Sequence, residues 1–233
     1  MNQSITKDYR KNAIAGGTLL LLAIITGILS VAFNVTMDEQ NYLSKVAANE
    51  TSLIISTLLI MAMAFACAGI AISFYPVLKR YSTSLALTSV ACRVAEAISF
   101  LALTAFTFSI LSVSRLYTET TGSEADNLET IGRILNISGD HFGAIMASTA
   151  FAVGAFIYYY IFYRTKLIPR WVSIWGMIAM MGYLAAVMAV IFGAESFSAL
   201  IVVLNLPTLG NELFLGVWLI VKGFDQKAIH AIA

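Results

Sequence analysis

The sequence predicts an all-α integral membrane protein, a bundle of six transmembrane helices that forms one domain over residues 1–233. Hydrophobic residues make up 59% of the chain and charged residues only 12%, whereas soluble domains are about half apolar and about a quarter charged. The apolar residues fall into six runs, each near the roughly 20 residues that a helix needs to span the hydrocarbon core of a bilayer. The remaining length is too short for an additional soluble domain.

The first apolar run follows a basic segment and therefore resembles a signal peptide. It is longer than the roughly 7–15 residues of a signal-peptide core, so we expect it to be a retained span. The third run is long enough to tilt or to project beyond the bilayer. The predicted spans are Ala13–Phe33, Thr51–Leu78, Ser84–Ser114, Phe142–Tyr163, Trp171–Phe192 and Ala199–Val221.

Basic residues are sorted between the two sets of loops. Ten of the fourteen fall at the end that carries both termini, namely Lys7, Arg10, Lys11, Lys79, Arg80, Arg164, Lys166, Arg170, Lys222 and Lys227. Only Lys45, Arg115 and Arg133 fall at the other end, because Arg93 lies within a span. The positive-inside rule then predicts that both termini are cytoplasmic (N-in/C-in).

The predicted external loops contain helix-start patterns. Residues 36–39 (Thr-Met-Asp-Glu) have the spacing of a capping box, and residues 123–126 (Ser-Glu-Ala-Asp) are similar. We therefore expect short amphipathic helices that lie on the membrane surface or cover the mouth of the bundle. The second of these presents one apolar face, made of Leu128, Ile131, Ile134 and Leu135.

Aromatic residues are concentrated at the predicted cytoplasmic ends of the fourth and fifth spans. Amphipathic rings prefer the headgroup level of a bilayer. We therefore expect them to form an aromatic belt; they are Tyr158, Tyr159, Tyr160, Tyr163, Trp171 and Trp175.

Three ionisable residues lie deep within predicted spans. Arg93 and Glu96 share one face of the third span, since they are three residues apart. Arg93 and Glu212 each lie roughly 14 Å from the same predicted edge of the membrane, at 1.5 Å per residue. An unpaired charge near the bilayer centre costs about 2.5–3.5 kcal/mol or more. The sequence therefore predicts an Arg93–Glu212 salt bridge, with Glu96 as the surplus carboxylate.

Further polar residues accompany this group and predict a binding site. Asn205, Thr208 and Glu212 recur every three or four residues along the sixth span, which places them on one helix face. We therefore expect a cavity that touches both Arg93 and Glu96. Ser148 and Asn205 are expected to line it. The candidate ligand-binding residues are Arg93, Glu96, Glu212, Asn211, Asn205, Thr208 and His141.

Several classes of site and partner are not indicated. Nucleotide-binding loops, the GxSxG pattern and CxxC pairs are absent, so no cofactor and no nucleophile can be assigned. A metal site that includes His141 is not indicated, because it lacks HExxH-type spacing and would lie close to Arg93. The net charge of +1 gives no reason to expect nucleic acid as a partner. Cys67 and Cys92 lie in apolar spans and are expected to be buried without a disulfide.

Three functions remain open on these observations. The polar core most plainly predicts binding of a small ligand, lipid or ion, for transport or for sensing. It is also compatible with an intramembrane enzyme that uses Glu96 or Glu212 as acid and base, or with an interaction subunit in which the core only clasps helices together. Membrane lipid is the expected partner, and six spans are few for a transporter, so transport would imply a homo-oligomer.

Several segments together resemble a known family. They are residues 75–80 (Tyr-Pro-Val-Leu-Lys-Arg), 93–97 (Arg-Val-Ala-Glu-Ala), 167–171 (Leu-Ile-Pro-Arg-Trp), 175–176 (Trp-Gly), 211–212 (Asn-Glu) and 218–224 (Trp-Leu-Ile-Val-Lys-Gly-Phe). The chain is similar to the bacterial multi-pass membrane family catalogued as domain of unknown function 4386, and Arg93 and Asn211-Glu212 match its pattern. The resemblance implies a bacterial inner (cytoplasmic) membrane and assigns no activity.

Overall fold

Six long helices confirm the predicted number of spans. A computed structural model describes residues 2–35, 41–195 and 198–232, with side chains from Tyr9 onward. Every regular element in these ranges is helical: α1 Asn2–Ala32, α2 Tyr42–Ala48, α3 Glu50–Leu78, α4 Thr83–Thr118, α5 Ser123–Asp140, a π-helical segment His141–Ala147, α6 Ser148–Thr165, α7 Arg170–Ile191, α8 Ala199–Val221 and α9 Gln226–Ala231. Six helical stretches are long and apolar enough to cross a membrane. They contain α1, α3, α4, α6, α7 and α8, respectively.

The six spans form a closed ring, in which each helix packs against two neighbours. The order around the ring is α1, α3, α4, α6, α7 and α8, and α8 packs back onto α1. Because the number of spans is even, α1 begins and α8 ends at the same end of the ring. We call this the basal end, and the opposite end, which carries α2 and α5, the distal end.

The outer face of the ring is apolar. Phe65, Ile178 and Val203 are 63%, 64% and 66% exposed, respectively, and belong to three different helices. Apolar surface of this extent is unfavourable in water and is what the hydrocarbon of a bilayer requires. The outer face therefore agrees with an integral membrane protein.

The segment after α4, which was expected on the membrane surface or over the mouth of the bundle, packs against α4. A single continuous helix runs from Ser123 through the π-helical segment to Thr165, over 43 residues. Its α5 part packs lengthwise on α4. Since α4 has 36 residues, it is roughly 54 Å long, and the hydrocarbon core is only about 30 Å thick. The distal parts of α4 and α5 therefore project together beyond the membrane-spanning region.

Glycines on one face of this helix explain the close packing. A Cβ on Gly139 would lie 3.1 Å from the Leu103 side chain of α4, and one on Gly143 would lie 2.9 Å from it. Gly132 contacts Tyr42 of α2 in the same way. Because only glycine leaves room for these neighbours, the glycine face points inward.

A small second core stabilises the distal end. Leu128 and Leu135 of α5 pack against a buried cluster that includes Leu43, whereas Ile131 and Ile134 are exposed. The predicted apolar face is thus divided between core and surface. The predicted capping box at residues 36–39 lies outside the described residues.

Tyr42 connects α2 to α5 in this distal core. Its hydroxyl donates a hydrogen bond to the Glu129 carbonyl oxygen at 3.2 Å. Burial, followed by the nearby Glu129 carboxylate, raises the pKa of Tyr42 to about 12. The hydroxyl therefore stays protonated and remains a donor near neutral pH.

Both terminal segments are held to the basal end of the ring. The guanidinium of Arg10 in α1 donates to the Leu219 and Ile220 carbonyl oxygens of α8 at 3.0 Å and 2.6 Å. These carbonyls lie in the last turn of α8, which has no intrahelical partners for them. The Asp225 amide donates to the Leu167 carbonyl oxygen at 2.9 Å, which positions α9.

An aromatic cluster fills the ring near its basal end. Phe74 of α3 makes edge-to-face contacts with Tyr158 and Phe162, with ring centroids 5.6 Å and 5.5 Å apart. Phe224 lies 6.0 Å from Phe74, and Tyr159 lies 4.6 Å from Tyr158. We call these five residues the basal plug. Tyr158 and Tyr159 are fully buried, so the prediction that they belong to an interfacial belt is wrong.

Two glycines allow α1 and α8 to cross closely on the basal side. A Cβ on Gly17 would lie 2.7 Å from the Gly216 carbonyl oxygen, and a Cβ on Gly216 would lie 3.3 Å from the Gly17 carbonyl oxygen. Small residues of this kind bring membrane helices into backbone contact. Together with the Arg10 hydrogen bonds, the crossing fixes α1 against α8 in their basal halves.

Candidate functional site

A cavity of about 470 Å³ lies within the ring, on the distal side of the basal plug. All six ring helices contribute to its wall. The side formed by α4, α6, α7 and α8 carries the charged residues and most of the polar ones, among them Arg93, Glu96, Ser148, Asn205 and Glu212, beside the apolar Phe100, Phe151 and Leu209. The side formed by α1 and α3 is apolar apart from the Cys67 thiol. The cavity therefore presents a polar face opposite an apolar one.

The wall is incomplete between α1 and α8. Ile28, Val31 and Leu209 line the cavity and are nevertheless 58%, 60% and 39% exposed. All three lie distal to the Gly17–Gly216 crossing. The cavity therefore opens sideways, toward the space that the hydrocarbon of a bilayer would occupy.

The buried arginine is paired within its own helix. Arg93 Nη1 lies 2.9 Å from Glu96 Oε2, and the two side chains are only 1% and 4% exposed. The prediction of an Arg93–Glu212 salt bridge is therefore wrong. The spacing of three residues brings the two groups together on one face, with no need for two helices to approach. Glu212, instead of Glu96, is the surplus carboxyl group.

The interface between α4 and α6 holds the Arg93 side chain in place. Its guanidinium lies over the Phe151 ring, 4.9 Å from the ring centroid. A Cβ on Gly154 would lie 3.2 Å from Arg93 Cγ, so glycine is needed where the arginine stem passes. Ser89 donates to the Gly154 carbonyl oxygen at 2.8 Å, which ties the two helices at this level.

Several buried polar atoms of the site have no hydrogen-bond partner among the residues that the structure describes. They are Arg93 Nε and Nη1, Glu96 Oε2, Asn205 Oδ1 and Glu212 Oε1. The Arg93–Glu96 contact is thus an ion pair without hydrogen-bond geometry. A buried polar atom left unsatisfied costs about 1–3 kcal/mol. A wall that carries both free donors and free acceptors is suited to a ligand that supplies both.

The structure brings together five of the seven predicted site residues. Arg93, Glu96, Asn205, Thr208 and Glu212 line the cavity, so the predicted cavity that touches both Arg93 and Glu96 is confirmed. Within this wall, the Thr208 hydroxyl donates to a backbone carbonyl oxygen of α7 at 3.4 Å.

The other two predicted residues lie elsewhere. Asn211 is buried behind the cavity wall and donates to the Val172 carbonyl oxygen at 3.0 Å. His141 is exposed at the start of the π-helical segment and is not part of the wall. The described residues contain no cluster of three or more His, Cys, Asp and Glu side chains that could hold a metal ion.

The sequence did not identify Cys67, Phe151 and Tyr183 as wall residues. The Tyr183 hydroxyl lies 3.2 Å from Ser148 Oγ, and its ring contacts Phe151 with centroids 5.1 Å apart. A tyrosine in the middle of a span, far from the headgroup level, is a signal that could have revealed Tyr183. Ser148 directly follows the π-helical segment, and such segments are frequent at functional sites.

The fold and the cavity together define a multi-pass helical membrane protein with a partly polar cavity between its spans. The chain belongs to the family described as Domain of unknown function (DUF4386), whose model matches residues 15–223. No curated protein and no solved structure matches it.

Proposed function

We propose that this protein binds a small amphipathic molecule in the cavity, for transport or for sensing. The observation that carries the proposal is the division of one cavity into a side with unpartnered polar atoms and an apolar side that opens between α1 and α8. A volume of about 470 Å³ is within the usual range of about 300–1,000 Å³ for small-molecule sites.

The polar wall favours a headgroup that is neutral or cationic and carries a hydrogen-bond donor. Arg93 supplies one formal positive charge, while Glu96 and Glu212 are two carboxyl groups. Outside the Arg93–Glu96 ion pair, the unpartnered oxygens of Asn205 and Glu212 need donors, and Arg93 Nε needs an acceptor. A hydroxyl group meets both needs, and an ammonium group also balances the surplus carboxyl group. An anionic headgroup would face two carboxyl groups at close range.

Binding accounts for the site better than a purely structural clasp. In a clasp, the buried ionic groups would satisfy one another, because an unpaired buried polar atom is destabilising. Here Glu212 and Asn205 come from α8 and leave an oxygen unpartnered. The apolar opening also has no purpose in a clasp, since closing it would bury more surface.

The opening suggests the route by which the ligand enters. The sorting of basic residues supports a cytoplasmic basal end, and the family resemblance supports a bacterial cytoplasmic membrane. The opening beside Val31, near the distal end of α1, would then face the outer leaflet. A lipid-like molecule would enter from that leaflet with its headgroup directed at the polar side of the cavity, which includes Glu212. For the transport version, a homo-oligomer stays a prediction.

Thermal unfolding in lipid nanodiscs tests the proposal with three probes of equal chain length, dodecylammonium, dodecanol and laurate. A ligand at about 100 times its Kd stabilises the folded protein by about 2.7 kcal/mol. We therefore expect dodecylammonium and dodecanol, but not laurate, to raise the unfolding temperature. Ile28→Trp should block the opening and remove the effect. Ile178→Trp is the matched control, because Ile178 is similarly exposed and lies away from the cavity.

Equal responses in the wild type and Ile28→Trp would contradict binding through this opening. Equal stabilisation by laurate would contradict the proposed headgroup chemistry. Absence of any probe-dependent change in the wild type would contradict binding of single-chain amphiphiles altogether.

A further inference from the structure

The loop between α6 and α7 presents three basic side chains at the basal end of the ring. Arg164, Lys166 and Arg170 are exposed, whereas Leu167 and Ile168 between them are only 0% and 2% exposed. The two apolar residues pack in the hydrophobic core of the ring. They anchor the loop, so its basic side chains are held on the surface. We call this segment, residues 164–170, the basic loop.

Tyrosine rings, instead of carboxylates, hold the two arginines of the basic loop. The Arg170 guanidinium lies 5.2 Å from the centroid of the Tyr163 ring, and the Arg164 guanidinium lies 5.9 Å from that of Tyr160. A cation–π contact orients a guanidinium group and leaves its positive charge in place. Among the described residues, neither these arginines nor Lys166 form an ion pair with a carboxylate. The loop therefore keeps three positive charges.

Carboxylates elsewhere at this end do not balance that charge. By sequence, the basal end carries ten basic residues and two acidic ones, Asp8 and Asp225. The Asp225 carboxylate accepts a hydrogen bond from the Ala228 amide at 2.9 Å and caps α9. The first turn of α7 contains no acidic residue, although carboxylates are favoured at that end of a helix. The surroundings of the basic loop therefore favour an anion.

The backbone at Lys166 gives a second reason to expect a function in this loop. Lys166 ends α6 in the left-handed conformation, with a φ of 58°. Glycine or asparagine is usual at such a position, because a longer side chain is strained there. A lysine adds a positive charge that neither of those residues would supply. Folding alone therefore does not explain this residue, and a local rule broken in this way is often a sign of function.

An apolar surface begins where the basic loop ends. Trp171, Ile174 and Ile178 share the outer face of α7, at spacings of three and four residues, and are 53%, 42% and 64% exposed. Trp171 directly follows Arg170, and its ring packs on Phe214 of α8 with centroids 4.9 Å apart. A molecule bound here would meet positive charge at one end and apolar side chains along its length. A soluble anion would use only the charged end.

We propose that the basic loop binds the phosphate group of an anionic phospholipid, whose acyl chains lie along the outer face of α7. Basic pockets beside transmembrane helices bind anionic headgroups. Arg164 and Arg170 supply planar guanidinium groups, which suit two oxygens of one phosphate, and Lys166 supplies a third charge. Trp171 lies next to them, and such rings prefer the headgroup level. The site is on the outer surface and does not depend on a ligand in the cavity.

Quenching of tryptophan fluorescence by brominated phospholipids in proteoliposomes tests this inference. The chain has three tryptophans, so the variant Trp175→Phe/Trp218→Phe leaves Trp171 as the reporter beside the loop. In this background we expect dibromo-phosphatidylglycerol to bind about tenfold more strongly than dibromo-phosphatidylcholine, a difference of about 1.4 kcal/mol. Arg164→Gln/Arg170→Gln should bring the ratio close to one, because each basic residue near the surface contributes to the attraction.

Lys11→Gln/Lys79→Gln is the matched control, because it removes the same charge from other elements at the basal end. Lys166→Asn tests the loop without a risk to folding, since asparagine tolerates the left-handed conformation. It should lower the lipid ratio about threefold, while its unfolding temperature in phosphatidylcholine should not fall.

A ratio near one in the otherwise unchanged protein would overturn the proposal. An equal loss in Lys11→Gln/Lys79→Gln would also overturn it, because the preference would then be bulk attraction by the basal surface. Displacement of the lipid by glycerol 3-phosphate would indicate a site for soluble phosphates and would contradict the phospholipid as the ligand.

Discussion

The Arg93–Glu96 ion pair allows a direct energetic test of the buried core. Arg93→Met keeps much of the stem volume that passes Gly154, but removes the charge and the stacking on Phe151. It leaves the Glu96 carboxylate, whose side chain is 4% exposed, without a partner. Glu96→Gln leaves the guanidinium without one. Each single substitution should therefore be strongly destabilising.

The expected magnitude follows from the burial of both groups. Breaking a buried ion pair by removing one partner typically costs about 3–5 kcal/mol, whereas replacing both partners is often neutral. The cation–π contact with Phe151 adds about 0.5–2 kcal/mol to the loss in Arg93→Met. The double variant Arg93→Met/Glu96→Gln should recover much of the loss, with a coupling energy of about 2–3 kcal/mol.

Reversible unfolding by SDS in mixed micelles measures these free energies. Arg115→Met is a control, because the Arg115–Glu50 pair is exposed at the distal end and its loss should change stability little. A parallel cycle with Arg93→Met and Glu212→Gln should show weaker coupling. Additive losses for Arg93 and Glu96, within about 0.5 kcal/mol, would refute the pairing, and stronger coupling to Glu212 would restore the cross-helix clasp.

Two further predictions concern the helix ring and its orientation. Gly17→Ala should destabilise the protein by about 1–3 kcal/mol in the same assay, because its Cβ would meet the Gly216 carbonyl oxygen. Gly182→Ala is the control: the nearest atom is 3.5 Å away, so this change should stabilise the protein by about 0.5–1 kcal/mol through helix propensity. Equal effects at both sites would contradict the close crossing. The orientation can be tested in a variant without native cysteines, by applying an impermeant thiol reagent to intact bacterial cells. The reagent should label Ser123→Cys in intact cells and Gln226→Cys only after lysis. The reverse pattern would contradict the cytoplasmic basal end.

The spans could be predicted from sequence because bilayer thickness imposes one length on every helix that crosses it. The last predicted span, Ala199–Val221, has the bounds of α8, and the second begins one residue after α3 does. The fourth was predicted less well. Hydropathy marks where a helix is apolar, not where it begins, so it could not show that α5, the π-helical segment and α6 are continuous.

Side-chain partners could be predicted only where one helix contains both residues. The spacing of Arg93 and Glu96 already placed them on one face, and this is the pair that forms. The matching depth of Arg93 and Glu212 gave no information about the lateral distance between their helices. Tyr158 and Tyr159 were misplaced for the same reason, because the depth of a residue along its span does not show whether its side chain faces lipid or the core. The small Gly176, which packs on the Tyr159 ring, was a sequence signal for a core position.

The change of partner alters what Glu212 can do. Among the described residues, Arg93 is held by Glu96, and the Glu212 carboxyl group lies on the cavity wall without an ion-pair partner of its own. A cationic headgroup arriving through the cavity and a proton would each neutralise that one group. Since a second positive charge there is unfavourable, binding of an ammonium headgroup should release one proton from a protonated Glu212.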